Sequence, residues 1–399
     1  MNKLLGRRLA GYLPIFLVLS AGMSNVAHAQ NSVTLYGILD AGLAYSHNAV
    51  DASGRNQSTL FKQISGAVSS VRWGMRGRED LGGGLAAIFT IESGFDLGSG
   101  ASRQGGRLFG RQSLVGLSDT RWGTVTIGRQ YDPTVNAISE LTENGYYAAF
   151  SPPGNLDNYD AGGLRVSNSV KYVSPVVAGL RFEALYGFGG VAGSLGNGET
   201  YAFSLDYKHG PLRLGAAYFN ANGGNTTSGG YRTWTGSSDS LPGFFSTPVT
   251  QGFATAKSIQ IARVAGDYTV GASRIGIAYS NTQYVGDGLS RFKGTARFNN
   301  GAAFYEYHFA PGASAALGYN YTSLTGPTSA HYHQVNLGFD YLLSKQTDLY
   351  AAVGYQHAYG KTLDATGTVV DARAAVGDLV INSGANSQLL TVAGIRHRF

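Results

Sequence analysis

Short turns and long polar connections alternate along this chain, and few architectures accept that pattern from end to end. The short turns fall at 80–84, 118–123, 174–179, 209–211, 268–272, 310–313 and 344–347. Between them lie longer stretches rich in Gly, Ser and Asn, at about 48–67, 96–106, 131–164, 189–199, 220–256, 285–295, 323–332 and 360–388. Seven short turns and eight long loops join 16 segments and leave both ends on the short-turn side. That arrangement is expected of a barrel with one plain rim and one elaborated rim.

The segments themselves read with period two, which is strand periodicity. In VTLYGILDAGLAY, Val33, Leu35, Leu39, Leu43 and Tyr45 alternate with Thr34, Tyr36 and Asp40. In SSVRWGMRGRED, Val71, Trp73 and Met75 oppose Arg72, Arg76 and Arg78. Later, Val335, Leu337, Phe339 and Tyr341 oppose Gln334, Asn336 and Asp340. Charged residues make up only 14% of the chain, yet mean hydropathy is −0.08. A soluble domain carries about a quarter charged residues, whereas a water face and a lipid face on the same strands average out in this way. After the first 29 residues no apolar run reaches the roughly 18 residues of a spanning helix. A sheet in hydrocarbon cannot leave an edge unpaired, so the strands must close. The fold class is therefore all-β: a transmembrane 16-stranded antiparallel β-barrel. The strand ending at Phe399 is expected to pair with the one starting near Val33. Sixteen strands leave an aqueous channel inside.

Residues 1–29 read as a signal peptide. Lys3, Arg7 and Arg8 precede an apolar stretch, and Ala27-His28-Ala29 stands before Gln30. The barrel then occupies residues 30–399. A twin-Arg route is disfavoured, because export of an unfolded chain suits a barrel better. Of the formal +6, the leader supplies three basic residues, and the small surplus left does not argue for nucleic acid. There is no Cys, so stability rests on hydrogen bonding and closure.

The connection at 131–164 carries several acids between basic strands and is expected to fold into the lumen as the third long loop. Arg72, Arg76 and Arg111 have lumen-facing parity, and Arg165 and Lys171 share one face of the strand that follows the loop. The loop offers Asp132, Glu140, Glu143, Asp157 and Asp160. A basic wall opposite an acidic strip would orient water and dipolar solutes, while size sets the cut-off. Arg129 is the exception, since it shares parity with Val125 and Ile127 on the lipid-type face. A bare Arg there costs roughly 2–4 kcal/mol, so it is expected at the rim or at a subunit interface, paired with an acid on a neighbour's second long loop. Catalytic chemistry has little support. GGGLAAIF lacks the Lys-Ser/Thr of a phosphate loop. His331 and His333 lack a nearby Cys or carboxylate to make a metal site. No cofactor and no metal are expected.

Several stretches then resemble one family: SVTLYGILDAGL, RWGMRGREDLGGGL, FTIESGFD, LFGRQSLVGL, GTVTIGRQYD, RVSNSVKYVSP and the ending GIRHRF. Together they resemble the general porins of the Gram-negative outer membrane, from about Val33 to Phe399. The resemblance implies a homotrimer of 16-stranded barrels with the third loop inside as the constriction. The assembly would sit in outer-membrane lipid and lipopolysaccharide. Arg72 and Arg76 stand where the family's second strand carries its eyelet bases, and Arg111 stands at its fourth-strand arginine. Arg165 or Lys171 takes the third basic position. The loop departs from the short Pro-Glu-Phe-Gly tip found in parts of the family. Phe399 resembles the aromatic end read by the barrel-assembly machinery. The function implied is a water-filled channel for passive diffusion of small hydrophilic solutes and ions, with weak anion preference. A substrate-specific channel is the nearest alternative. A plugged barrel acting as adhesin or surface enzyme, using the loops at 220–256 and 360–388, is the alternative of another class.

Overall fold

The structure is a computed structural model that describes residues 32–51, 59–142, 153–157, 164–377, 379 and 381–399. The leader lies outside these residues. Sixteen strands form the wall. They are β1 Ser32–His47, β2 Arg72–Gly82, β3 Leu85–Gly94, β4 Gln112–Asp119, β5 Gly123–Tyr131, β6 Arg165–Val173, β7 Leu180–Gly187 and β8 Thr200–His209. There follow β9 Leu212–Asn222, β10 Ser258–Val270, β11 Ser273–Val285, β12 Thr295–Ala310, β13 Ala313–Thr325, β14 Ala330–Leu342, β15 Thr347–Leu363 and β16 Ser387–Arg398. Each strand pairs antiparallel with the next, and the tight turns join them where the sequence predicts. The alternation that signalled strands also sorts the two faces. Leu43, Ile277 and Leu317 stay exposed on the outside, while their strand neighbours turn inward and are buried.

Closure joins β1 to β16. Ile38–His47 lie opposite Arg398–Leu389, and Gly37 and Phe399 exchange both backbone hydrogen bonds at 3.0 and 3.1 Å. On its other side β1 divides its partners. Its first half pairs with β2, and its second half pairs with Thr59–Ser65, a short strand in the first long loop. Gly37 faces the Phe399 ring so closely that a Cβ there would strike it.

The third long loop does enter the lumen. It opens with a helix, α1 Pro133–Ile138, which Asp132 caps by accepting from the Thr134 N–H at 2.8 Å, with Pro133 in the first turn. Ala137, Ile138 and Leu141 pack on Ala217, Ala265, Ala278 and Ala302, the inward alanines of β9 to β12. Gly215 makes room for this approach: a Cβ there would lie 2.5 Å from the Ala137 carbonyl oxygen and 2.9 Å from a Leu141 methyl.

The fifth long loop, at 223–257, also turns inward. Trp234, Phe244, Phe245, Val249 and Phe253 join Leu156 of the third loop and the inward-facing Phe219, Tyr284, Phe298, Leu324 and Tyr332 in one buried cluster. The first and eighth loops build a second cluster on β1, β13, β15 and β16, around Val68, Val376, Tyr350 and Leu390. The fifth loop, like the eighth, was open to a reading as surface for adhesion or as variable exterior, and the aromatics of the fifth decide its case. Its aromatics instead form a core inside the mouth, because each buries apolar area that water would otherwise face.

Candidate functional site

None of the three apolar clusters includes a residue of β2 to β5. Among the described residues, the loop clusters lie against the wall from β6 round to β1 and leave that arc. In a ring of 16 strands β2 stands opposite β10, where the third loop is seated. The remaining passage therefore runs between the loops and the inner faces of β2 to β5.

The basic residues named from the sequence gather on this arc and on the adjoining strand β6. Glu92 of β3 is buried at the centre. Arg111 donates to it at 2.7 Å, the Tyr36 hydroxyl donates at 3.0 Å, and the Arg72 guanidinium lies 3.7 Å away. Arg111 also donates to the Tyr131 hydroxyl, which accepts from Arg165 at 3.2 Å. The Arg165 guanidinium lies over the Tyr131 ring at 4.9 Å, and Arg76 lies over the Tyr36 ring at 5.4 Å. The rings hold these cations by their negative faces. Lys171 reaches the same place from behind, donating to the Tyr131 carbonyl at 3.3 Å, with Glu183 3.9 Å away. Exposure differs across the group: Arg76 is exposed, Arg72 and Arg165 are half-buried, and Arg111 and Lys171 are buried.

Arg165 and Lys171 do not share a face by simple alternation. Gly128 pairs with Ser169 while Gln130 pairs with Val166, so β6 carries one extra residue, with Asn168 at φ 50°. This bulge breaks the run 165, 167, 169, 171 and re-aims Arg165 at Tyr131.

The loop acids are placed differently from the expected strip. Asp132 is fully buried, its carboxylate used to start α1. Asp157 is also fully buried and accepts from the Ser280 hydroxyl of β11. Glu140 alone of the three described acids is exposed, with Arg213 3.6 Å from its carboxylate. Its backbone carbonyl accepts from Arg213 and Arg274, which both bind the buried Asp267 and so pin the end of the helical stretch to the wall. Glu143 and Asp160 lie outside the described residues.

Arg129 finds its acid within its own chain rather than on a neighbour's second loop. It binds Asp239 of the fifth loop at 3.1 Å, the Gly110 carbonyl at 2.8 Å, and the hydroxyls of Ser167 at 2.6 Å and Ser240 at 2.8 Å. Arg107 of the second loop reaches the same Asp239 at 2.9 Å. A guanidinium on lipid-type parity is thus satisfied by a loop folded against it. Sequence reasoning did not single out Glu92 or Asp239 as partners. Glu92 was visible as an acid on the water-facing side of β3, but the contact crosses strands whose register no single segment discloses.

Replacing Gly215 by Leu is expected to lower single-channel conductance, because the new side chain must push α1 off its wall toward β2 to β5. Overpacking of this kind costs about 1–3 kcal/mol, so the barrel should stay folded. Unchanged conductance would mean that α1 does not border the passage.

Residues 16–361 match the sequence pattern of the Gram-negative porins. An outer membrane porin protein of Bordetella pertussis is 30% identical over 96% of this chain and 98% of its own length. The major outer membrane protein P.IB of Neisseria gonorrhoeae is 26% identical over 82% of this chain and 89% of its own. Among solved structures, an anion-selective porin from Comamonas acidovorans shares the fold with a TM-score of 0.70 at 24% identity, covering 93% of this chain and all of that one. A closed barrel, an inward third loop and a porin relative along nearly the whole length leave one conclusion: the chain belongs to the Gram-negative porins, outer-membrane channels through which small hydrophilic solutes diffuse passively.

Proposed function

We propose that this porin prefers anions weakly and that the group Arg72, Arg76, Arg111 and Arg165 sets the preference. The observation that carries the reading is the placement of Arg72, Arg76 and Arg111 on the arc of wall that no loop cluster covers among the described residues, with Arg165 beside them at the edge of β6. Fixed positive charge beside a narrow aqueous path raises the local concentration of anions and lowers that of cations. The effect is weak because Glu92 cancels part of the charge at contact distance. Size and field together select solutes, with no catalytic step.

The rest of the reading follows from the porin resemblance. The leader is removed before Gln30. Three barrels assemble as a homotrimer within outer-membrane lipid and lipopolysaccharide, and the assembly machinery reads Phe399. The test is the reversal potential of the purified protein in a planar bilayer under a salt gradient. The wild type should favour chloride over potassium, and current should rise in groups of three steps. Replacing two members, as Arg72→Gln with Arg76→Gln, should move the reversal potential toward the cation side without unfolding the barrel. A clear cation preference in the wild type would overturn the proposal, and no current from folded protein would mean a plugged lumen.

A further inference from the structure

The chain facing β1 is interrupted halfway up the wall. Ile38 of β1 lies opposite Arg72, and Ala41 lies opposite Ser65. Between these pairs β1 spends two residues, Leu39 and Asp40, while the facing chain spends six, 66–71. An ordinary bulge adds one residue. This one adds four, and an even number leaves every later side chain on its original face.

The extra residues go inward. Ala67 and Val68 join the lumen cluster of Tyr350, Val376 and Leu390. The neck closes at Gly66, whose φ is 79° and where a Cβ would lie 3.2 Å from both the Ser70 Cα and the Val71 nitrogen. Asp40, fully buried, holds the segment from the wall. One of its carboxylate oxygens accepts from the Val68 N–H at 2.9 Å and the Ser69 N–H at 2.6 Å, and its backbone carbonyl accepts from the Gly66 N–H at 2.8 Å. The other carboxylate oxygen accepts from the Tyr350 hydroxyl. Two further contacts fix the flanks: Arg396 donates to the Ser69 hydroxyl at 2.8 Å, and Arg103 donates to the Ser65 carbonyl at 3.0 Å.

We infer that 66–71 is a second size-limiting element of the channel, a shelf built into the wall, with Asp40 as its positioning residue. The inference rests on the channel function and goes beyond the anion preference. Ala67, Val68 and Val71 are buried, whereas Ser69 and Ser70 are half-buried, so the serines form the lumen edge. The Ser70 carbonyl accepts from Arg72 at 3.1 Å, which places that edge beside the basic group and along the same passage. Two residues out and two back reach about 7 Å at the usual strand rise, a length on the scale of a small solute. The third loop narrows the lumen from β9 to β12, and the shelf narrows it from the opposite wall. None of its six residues is charged, so it sets the cross-section and leaves the field to the arginines.

Deleting residues 67–70 tests this, because the register then runs on without slip, with Gly66 opposite Asp40 and Val71 opposite Leu39. Single-channel conductance should rise above wild type. In proteoliposomes, swelling with a disaccharide should speed up more than swelling with a monosaccharide. The sign of the reversal potential should stay put, since Arg72, Arg76 and Arg111 remain. A folded deletion variant with wild-type conductance and an unchanged sugar ratio overturns the inference. A second variant decides the matter even should the deletion fail to fold. The natural chain has no Cys, so Ser70→Cys offers a unique thiol. A bulky uncharged thiosulfonate label attached there in detergent should lower conductance after insertion, whereas the same label on the outward Leu43→Cys should not. A Ser70→Cys label without effect overturns the shelf. For the latch, Asp40→Ala should raise open-channel noise and the disaccharide ratio, and Asp40→Asn, which keeps one acceptor oxygen, should restore both toward wild type. Wild-type behaviour of Asp40→Ala removes the positioning role. A cation-preferring wild type would sink the anion proposal and leave these size readings unmoved.

Discussion

Phe253→Ala should release the fifth long loop while the barrel stays closed. Phe253 is fully buried. It stacks on Tyr284 at 5.3 Å and meets Phe292 at 5.3 Å and Phe298 at 5.7 Å edge to face. Truncating a buried Phe typically costs about 3–5 kcal/mol, part from lost transfer and part from the cavity left. The two parts of the molecule draw on different sources. The wall is held by continuous backbone ladders, whereas the loop is held in the mouth by this cluster. The penalty should therefore fall on the loop. Limited proteolysis of the folded protein should cut between residues 223 and 257 in the variant and spare the wild type, while both keep the heat-modifiable mobility of a closed barrel. Open-channel noise should rise with loop release. Equal cleavage of both proteins would mean that the cluster is not what holds the loop.

Arg111→Met should be the costlier change in the wall, and Glu92→Gln should repair part of it. Both partners are almost completely buried, at 1% and 3% exposure, and 2.7 Å apart. Removing one partner of a buried pair costs about 3–5 kcal/mol, mainly because the other charge is left uncompensated. Glu92 would keep the Tyr36 hydroxyl and the more distant Arg72 guanidinium, so the low end of that range is expected. In the double variant neither charge is buried, and the midpoint of unfolding in denaturant should recover toward wild type. If the two single costs simply add, the pair is not coupled and the cluster is looser than its distances suggest. Selectivity gives a second readout: Arg111→Met alone should reduce anion preference, and adding Glu92→Gln should return part of it.

The barrel was legible because its determinants are local. Period-two alternation and turn residues such as Asp80 to Gly84 act within a few positions, and a sheet in lipid has one way to satisfy its edges. The inward third loop was legible from its charge and its place between basic strands. What stayed hidden needed contacts across the barrel. Asp132 reads as a pore acid until Pro133 and Thr134 beside it are seen as a helix start. Asp157 is claimed by Ser280 of β11, and Arg129 by Asp239, each a pairing that only the closed fold creates. The bulge at Asn168 shifts a face by one residue, which no alternation count detects. Trp234, Phe244, Phe245 and Phe253 were a signal in plain view: one Trp and three Phe in a loop rich in Gly and Ser are too apolar to be left in water.

The seam between β1 and β16 has a consequence in time. Its contacts join residues far apart along the chain, as in the bond from Gln388 to Ser46 across 342 positions. The outward edge of β1 therefore stays without its partner until the opposite end of the barrel sequence is in hand. Contacts of such high sequence separation form late and slowly, and until they form the sheet is an open template for other strands. Assembly of this protein should be rate-limited by sealing rather than by forming hairpins. Changes at Gly37 or Phe399 should lengthen the life of the unsealed sheet far more than they weaken the finished barrel.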